Sequence, residues 1–322
     1  MDSTKNFKNI EDYLDHWDLF FEEWIKGESH QKELLDSDII WGNHKGKSSK
    51  NKKTGKLTST KLEHDVFPQP YLGDVYKHSA ITLNLNPSRS KIVGTENIDF
   101  EKETFPKFKE VNNKYRKYAE EFPTYHILFW QKQVNWIDNV FEYLGHEIPS
   151  SIKDSEIRPF AIEICPWASK SWKKLKIDAP LISYLDEHVF DVIEKVITNS
   201  RLKMVLSVGK AYYDIFNHKK NSEFELQTEL VKYQKSDFND IELNQHNINS
   251  NLSLEEYKEI WPKTKDSKTG VSRYVNRSFS IWKRKNVLYY NTWAPGSNTP
   301  TGNDFKKIEQ KFLRIYKSLL TK

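Results

Sequence analysis

Three polar residues fall within five positions on the segment Asn84-Leu85-Asn86-Pro87-Ser88, directly after the apolar run Ser79-Ala80-Ile81-Thr82-Leu83. Amides and a hydroxyl at this spacing can orient a water or grip a polar ring, and Pro87 stiffens the turn that carries them. Polar, Pro-containing segments follow other apolar runs too. One is Glu163-Ile164-Cys165-Pro166-Trp167-Ala168-Ser169-Lys170, and another is Asn291-Thr292-Trp293-Ala294-Pro295-Gly296-Ser297-Asn298-Thr299-Pro300. A further turn, Ser207-Val208-Gly209-Lys210, leads from a run into a short helix. Taken singly, each is an ordinary turn, since Asn-Pro and Pro-Gly are common turn dipeptides. Their chemical interest lies in belonging to one rim of one sheet.

That rim is set by the elements around it. Ile10, Tyr13, Leu14, Trp17, Phe20, Phe21 and Trp24 recur at three and four, which predicts an amphipathic helix over 8–26 stopped by Gly27. The stretch 44–61 has no periodicity and reads as a mobile arm or long loop. Strands are expected at 79–85, 159–164, 202–208, 279–282 and 287–291, the last two as a hairpin across Lys285-Asn286. Helices are expected at 125–144, 179–197, 211–216 and 304–320, the last capped by Asn303 or Asp304. Strands alternating with helices predict an α/β chain, a three-layer αβα sandwich with a central, mostly parallel sheet. In such folds ligands bind outside the carboxyl ends of the strands, where the polar turns lie. The expected division is 1–65, a helix plus a Lys-rich flexible segment, and 66–322, an α/β domain with an insertion at about 217–277 that holds a helix near 253–260.

Composition bounds the partners. Trp, Tyr and Phe together make up 14% of the chain, enough to supply a core despite a hydrophobic share of 37%. Nothing approaches the roughly 18 apolar residues of a membrane helix. The opening residues lack a signal peptide's apolar stretch, so a cytoplasmic address without membrane contact is expected. Cys165 is the one cysteine, which excludes intrachain disulfides and cysteine-ligated zinc or iron–sulfur sites. The ten histidines are scattered without metal spacing, so no metal and no cofactor is expected.

Between Asp38 and Glu63 there is no acid, while seven lysines fall there. A second basic stretch, Lys263 to Lys285, interleaves Arg273, Arg277, Lys283 and Arg284 with Tyr274, Phe279 and Trp282. Cations with aromatics suit a groove that tracks a nucleic-acid backbone and stacks bases. A solvated loop and a charged hairpin would look the same in sequence.

Taken in order, strand–Asn84-Leu85-Asn86-Pro87-Ser88, a strand-end Pro loop, Ser207-Val208-Gly209-Lys210, and a strand followed by a Pro/Ser loop resemble the uracil-DNA glycosylase superfamily. The lead-in Pro70-Tyr71-Leu72-Gly73-Asp74 fits as well, and the likeness spans roughly 66–322 with the insertion set aside. The resemblance implies a monofunctional DNA glycosylase in repair or antiviral defence that flips a base from double- or single-stranded DNA and leaves an abasic site. Asn86 matches the family's water-positioning residue, as in the thymine and mismatch-uracil branch. Asn291 stands where the last motif's His or Asn would stabilise the leaving base, although the segment has no His. Asn84, Pro87, Ser88, Glu163, Pro166, Trp167, Trp293 and Ser297 would contact the base. Arg89, Lys170, Lys210, Arg273, Arg277 and Lys283 would contact the DNA backbone.

Two departures bear on the substrate. Asn84 and Ser88 stand where the family carries glycine, adding side chains where a flipped base would lie, which counts against ordinary uracil excision. Glu163 stands where uracil-excising relatives carry the Asn that reads the base edge. As a carboxylate it accepts hydrogen bonds only, which fits the N4 amine of cytosine and opposes O4 of uracil. The matching group is then the bacterial anti-phage glycosylases that remove glucosylated cytosines. The other reading of Glu163 is a structural ion pair with Arg158 or Lys170. For the whole chain, the competing readings are a catalytically silent nucleic-acid-binding protein of the same fold, a uracil or mismatch glycosylase in base-excision repair, and a small-molecule nucleoside or nucleotide hydrolase, which the basic stretches oppose.

Overall fold

Helix α1, Ile10–Lys26, opens with Asn9, whose side chain accepts from the Asp12 N–H at 2.9 Å, and carries Glu11 and Asp12 in its first turn. Its apolar face, Tyr13, Leu14, Trp17, Phe20 and Phe21, is buried. The structure, a computed structural model of the chain, describes residues 7–26, 49–50, 57–58, 62–63, 68–85, 114–121, 128–146, 158–169, 177–230, 263–265, 272–274, 277–293, 299–300, 305–310, 312–314 and 317. They belong to two compact units: Met1–Gln131 with Asp154–Arg201, and Lys132–Lys153 with Leu202–Lys322. Strands and helices are mixed in both, so the chain is an α/β protein.

In the first unit, strands β1 (Tyr71–Leu72), β2 (Ala80–Asn84) and β3 (Pro159–Glu163) form one ladder with β3 in the middle. β2 and β3 are parallel, in register from Ala80↔Pro159 to Asn84↔Glu163, while β1 runs antiparallel to β3. Every residue of the three strands is buried, which is why β2 and β3 read as continuous apolar runs. β1 falls in the lead-in segment, where no strand was expected; two residues are too few to show a period. Gly73 ends it at φ 97°, and a Cβ there would come within 2.5 Å of the Pro159 carbonyl oxygen, so only glycine fits.

Helix α2, Tyr115–Glu121, packs on α1 through aromatic edges, with Phe21 and Tyr115 centroids 6.1 Å apart. Arg116 ties the two helices by ion pairs to Glu11 (2.9 Å) and Asp15 (2.8 Å), and its backbone N–H reaches Asp18. The N-terminal helix is thus part of this unit's core.

Helix α3, Leu128–Leu144, ends at Gly145 with φ 80°. The helix expected over 179–197 is α4, Ala179–Leu185, passing through a π turn at Asp186–Phe190 into α5, Asp191–Val196. Asp178 caps α4 by accepting from the Leu181 N–H. The π turn, which leaves no periodic mark, carries His188, stacked on Tyr184 at 4.5 Å and edge-on to Phe7 at 5.3 Å.

In the second unit, strands β4 (Met204–Val208), β5 (Glu225–Leu230), β6 (Ser278–Arg284) and β7 (Val287–Trp293) are ordered β4-β7-β6-β5. β7 is parallel to β4, whereas β6 is antiparallel to β7 and to β5. The β6–β7 hairpin turns at Lys285-Asn286 as expected. Between β4 and β5, helix α6 spans Lys210–Phe216. β5 corrects the expected insertion. Its polar sequence, Glu-Leu-Gln-Thr-Glu-Leu, hides a strand of which Thr228 is fully buried. Insertion-like sequence therefore begins after Leu230, and the helix expected near 253–260 lies outside the described residues. In the closing segment, a π turn at Phe305–Glu309 precedes buried Phe312 and Leu313, and Phe312 stacks on Phe279 at 5.2 Å. Its expected caps, Asn303 and Asp304, are outside the described residues.

Both basic stretches contain short antiparallel ladders. Ser49–Lys50 pairs with Leu57–Thr58 inside the segment expected to lack structure, where Thr58 is a good strand former. Lys263–Lys265 pairs with Ser272–Tyr274, placing Arg273 opposite Thr264.

Candidate functional site

Parallel register brings two of the expected residues together. Asn84 and Glu163 are partners at the carboxyl ends of β2 and β3, so their side chains leave the same face of the ladder. Each is 6% exposed. The chain beyond the strands stays paired: the Ile164 N–H donates to the Asn84 carbonyl at 2.8 Å and the Cys165 N–H to the Leu85 carbonyl at 2.9 Å. On the other side of β3, the Glu163 N–H donates to the Pro70 carbonyl at 3.0 Å and the Gln69 N–H to the Pro166 carbonyl at 2.8 Å. This rim is a braced backbone, not a loose loop.

Burial pushes the Glu163 carboxyl up to about 8, with a hydrogen bond from the Asn84 side chain pulling it part of the way back. At pH 7 it is therefore mostly protonated. An ion pair with exposed Arg158 would hold the carboxyl below its ordinary range, so the pairing of Glu163 with Arg158 gives way, while the other expected partner, Lys170, lies outside the described residues. The acceptor-only reading changes as well. A neutral carboxyl sets an O–H donor beside a carbonyl acceptor, which matches the donor–acceptor edge of cytosine or, with the two oxygens exchanged, that of uracil. Oε2 is buried and has no hydrogen-bond partner among the described residues. Nearby, the Tyr115 hydroxyl donates to the Tyr71 carbonyl at 2.7 Å, and burial pushes the Cys165 thiol far above its usual range, which makes it a poor nucleophile.

Trp167 is not a stacking platform. It is buried against α1, edge-on to Phe20 at 6.2 Å, and so belongs to the core. Pro166 is buried beside it. Asn86, Pro87, Ser88, Arg89, Lys170 and Ser297 lie outside the described residues.

The second unit holds a pair of the same design. β7 runs on to Trp293, so Asn291 is a strand residue inside the sheet and not the first residue of a loop. It is in register with Ser207 of β4 and Ser280 of β6, and the Ser207 hydroxyl donates to its side-chain oxygen at 3.0 Å. Its Nδ2 is buried with no partner among the described residues. Gly209, at φ 148°, donates its N–H to the Thr292 carbonyl at 2.9 Å, which fixes the turn into α6. The half-buried Trp293 ring lies 4.8 Å from that of Tyr213.

Among the expected backbone-binding cations, Lys210 is exposed and ion-paired to Asp214 one turn on, and Lys283 is exposed. Arg277 is 4% exposed, with its guanidinium 3.5 Å from the Thr292 hydroxyl, which removes it from the surface where phosphates would be met. Sequence reasoning missed Glu309, whose Oε1 accepts from the Trp136 indole at 2.8 Å and the Tyr290 hydroxyl at 2.6 Å. The signal for it was an acid on the apolar face shared by Phe305, Phe312 and Leu313.

Among the described residues, no group of three or more His, Cys, Asp or Glu could hold a metal ion, and no helix is long and apolar enough to cross a membrane. Compared with protein-family models, curated proteins and solved structures, this chain finds no match.

Proposed function

We propose that this chain is a DNA glycosylase with a three-layer αβα fold, which hydrolyses the N-glycosidic bond of a flipped, modified pyrimidine, first among them a glucosylated hydroxymethylcytosine of phage DNA, and leaves an abasic site. The observation that carries this reading is the buried Asn84–Glu163 pair at the carboxyl ends of adjacent parallel strands, where α/β folds bind ligands. A neutral acid beside an amide offers donors and acceptors to a pyrimidine edge, and Asn86, two residues further on, would orient the attacking water. In the basic stretch to Lys285, Lys283 and Lys285 are exposed cations that suit a DNA backbone, whereas Arg277, Phe279, Trp282 and Arg284 are buried and cannot meet it. Flipping is required because the glycosidic bond of a stacked base is out of reach of side chains.

One observation favours a second reading, a catalytically silent nucleic-acid-binding protein of the same fold. Asn291, the residue assigned to the leaving base, is held by Ser207 within the sheet. One assay separates the two. Duplex and single-stranded oligonucleotides carrying uracil, mismatched thymine or glucosylated hydroxymethylcytosine are incubated with the protein and then treated with alkali. The glycosylase reading expects strand breaks at the modified cytosine and their loss in Asn86→Ala with DNA binding retained. DNA binding without breaks in any oligonucleotide would establish the silent reading.

A further inference from the structure

Resting on the glycosylase reading, we infer that Glu163 is a catalytic acid, whose carboxyl passes its proton to the base as the base leaves the sugar. This carboxyl lies at the strand-end rim and not in the middle of the core. Among the described residues the groups that interact with it are the Asn84 amide from β2, the Tyr115 hydroxyl from α2 and the Cys165 thiol from the following turn, all neutral at neutral pH. Among the described residues no cation contributes to its titration, and burial keeps the proton on. Oε2 is enclosed without a partner among the described residues, which is costly for a purely structural acid and suited to a group whose partner arrives with the substrate. Glu309, whose Oε2 is buried in the same way, differs in that its Oε1 draws two donors, the Trp136 indole and the Tyr290 hydroxyl.

The step balances. The C1′–N bond breaks and its electron pair moves onto the base ring, while the Glu163 O–H bond breaks and its proton joins a ring-edge nitrogen or oxygen. The base thus departs neutral and not as an anion. A water oxygen bonds to C1′, and the proton it sheds returns through solvent to the Glu163 carboxylate. General acids of this kind accelerate reactions by about 10²–10⁴-fold and work best when they titrate near the operating pH.

The test is single-turnover excision from duplex DNA carrying glucosylated hydroxymethylcytosine, or from whichever oligonucleotide of the assay above is cut, followed from acid to alkaline pH. The wild-type rate is expected to be level below about pH 8 and to fall about tenfold per pH unit above it. Glu163→Gln, which keeps a donor and an acceptor but cannot give up a proton, is expected to bind DNA as well and to lose about 10²–10⁴-fold in rate. A wild type that excises while Glu163→Gln keeps its full rate overturns the inference and leaves the glycosylase reading standing. A wild type that cuts no oligonucleotide removes both. If Glu163→Gln does not fold, the wild-type profile decides, and a rate that holds or rises into the alkaline range overturns the inference.

Discussion

Among the described residues two glutamates are buried, one in each compact unit, and they are held in different ways. Glu309 sits under the second unit's ladder with the Trp136 indole and the Tyr290 hydroxyl both donating to one oxygen. Glu163 sits at the end of β3 beside the Asn84 amide, and burial leaves it protonated. The two strand-end pairs show the same contrast. Asn84–Glu163 and Ser207–Asn291 are built alike, each from in-register residues near the carboxyl ends of neighbouring parallel strands. Only the first contains a proton that can move at neutral pH; the second is an amide and a hydroxyl that hold each other. Burial by itself therefore does not mark a site. What sets Glu163 apart is its strand-end position and a carboxyl that burial keeps protonated, where Glu309 Oε1 draws two donors.

The contrast breaks most visibly at Glu309. Glu309→Ala leaves two buried donors without an acceptor and is expected to cost about 4 kcal/mol in urea unfolding. An effect below about 1 kcal/mol would remove the distinction between the two acids. Glu163 makes the opposite prediction. Its carboxyl titrates higher in the fold than its ordinary 4.5, so its contribution to stability is intact below pH 4.5 and is lost as pH rises towards about 8. Between pH 4.5 and 7 the loss is on the order of 3 kcal/mol. Glu163→Gln should flatten that slope, unfolding later than wild type at pH 8 and no later at pH 4; parallel slopes for the two proteins would contradict it. For the second strand-end pair, Asn291→Ala removes the shorter of the Ser207 hydroxyl's two acceptors, leaving the Tyr290 carbonyl at 3.4 Å, and should cost about 1 kcal/mol, equally at pH 5 and pH 8. The smallest effect belongs to Lys210→Ala, which removes an exposed pair with Asp214 and should shift stability by less than about 0.5 kcal/mol.

Which parts of this were legible in the sequence follows from burial. β2, β3 and β4 are buried almost throughout and therefore read as apolar runs, with ends within two residues of those expected. β5 escaped because only Thr228 among its described side chains is buried, with polar neighbours, and a register shift at Gln227 breaks the alternation of its faces. The end of β7 was misplaced because Asn291 resembles a turn residue, whereas its side-chain oxygen accepts from Ser207 of the neighbouring strand. Asn84 and Glu163 could each be chosen as strand-end polar residues. That they are register partners, and that one of them keeps its proton, depends on pairing and enclosure that no local pattern encodes. Trp167 and Arg277 failed for a related reason: an aromatic or a cation near a strand end looks the same in sequence whether it turns outward or into the core.

The central claim, a strand-end glutamate that is neutral at physiological pH, is open to direct titration. In protein labelled with ¹³C at the glutamate side-chain carboxyls, one resonance absent from Glu163→Gln should stay in its protonated position through pH 7 and titrate near pH 8. If that resonance instead moves at the ordinary carboxylate range near 4.5, Glu163 is ionised in the folded protein and the acid assigned to this rim does not exist.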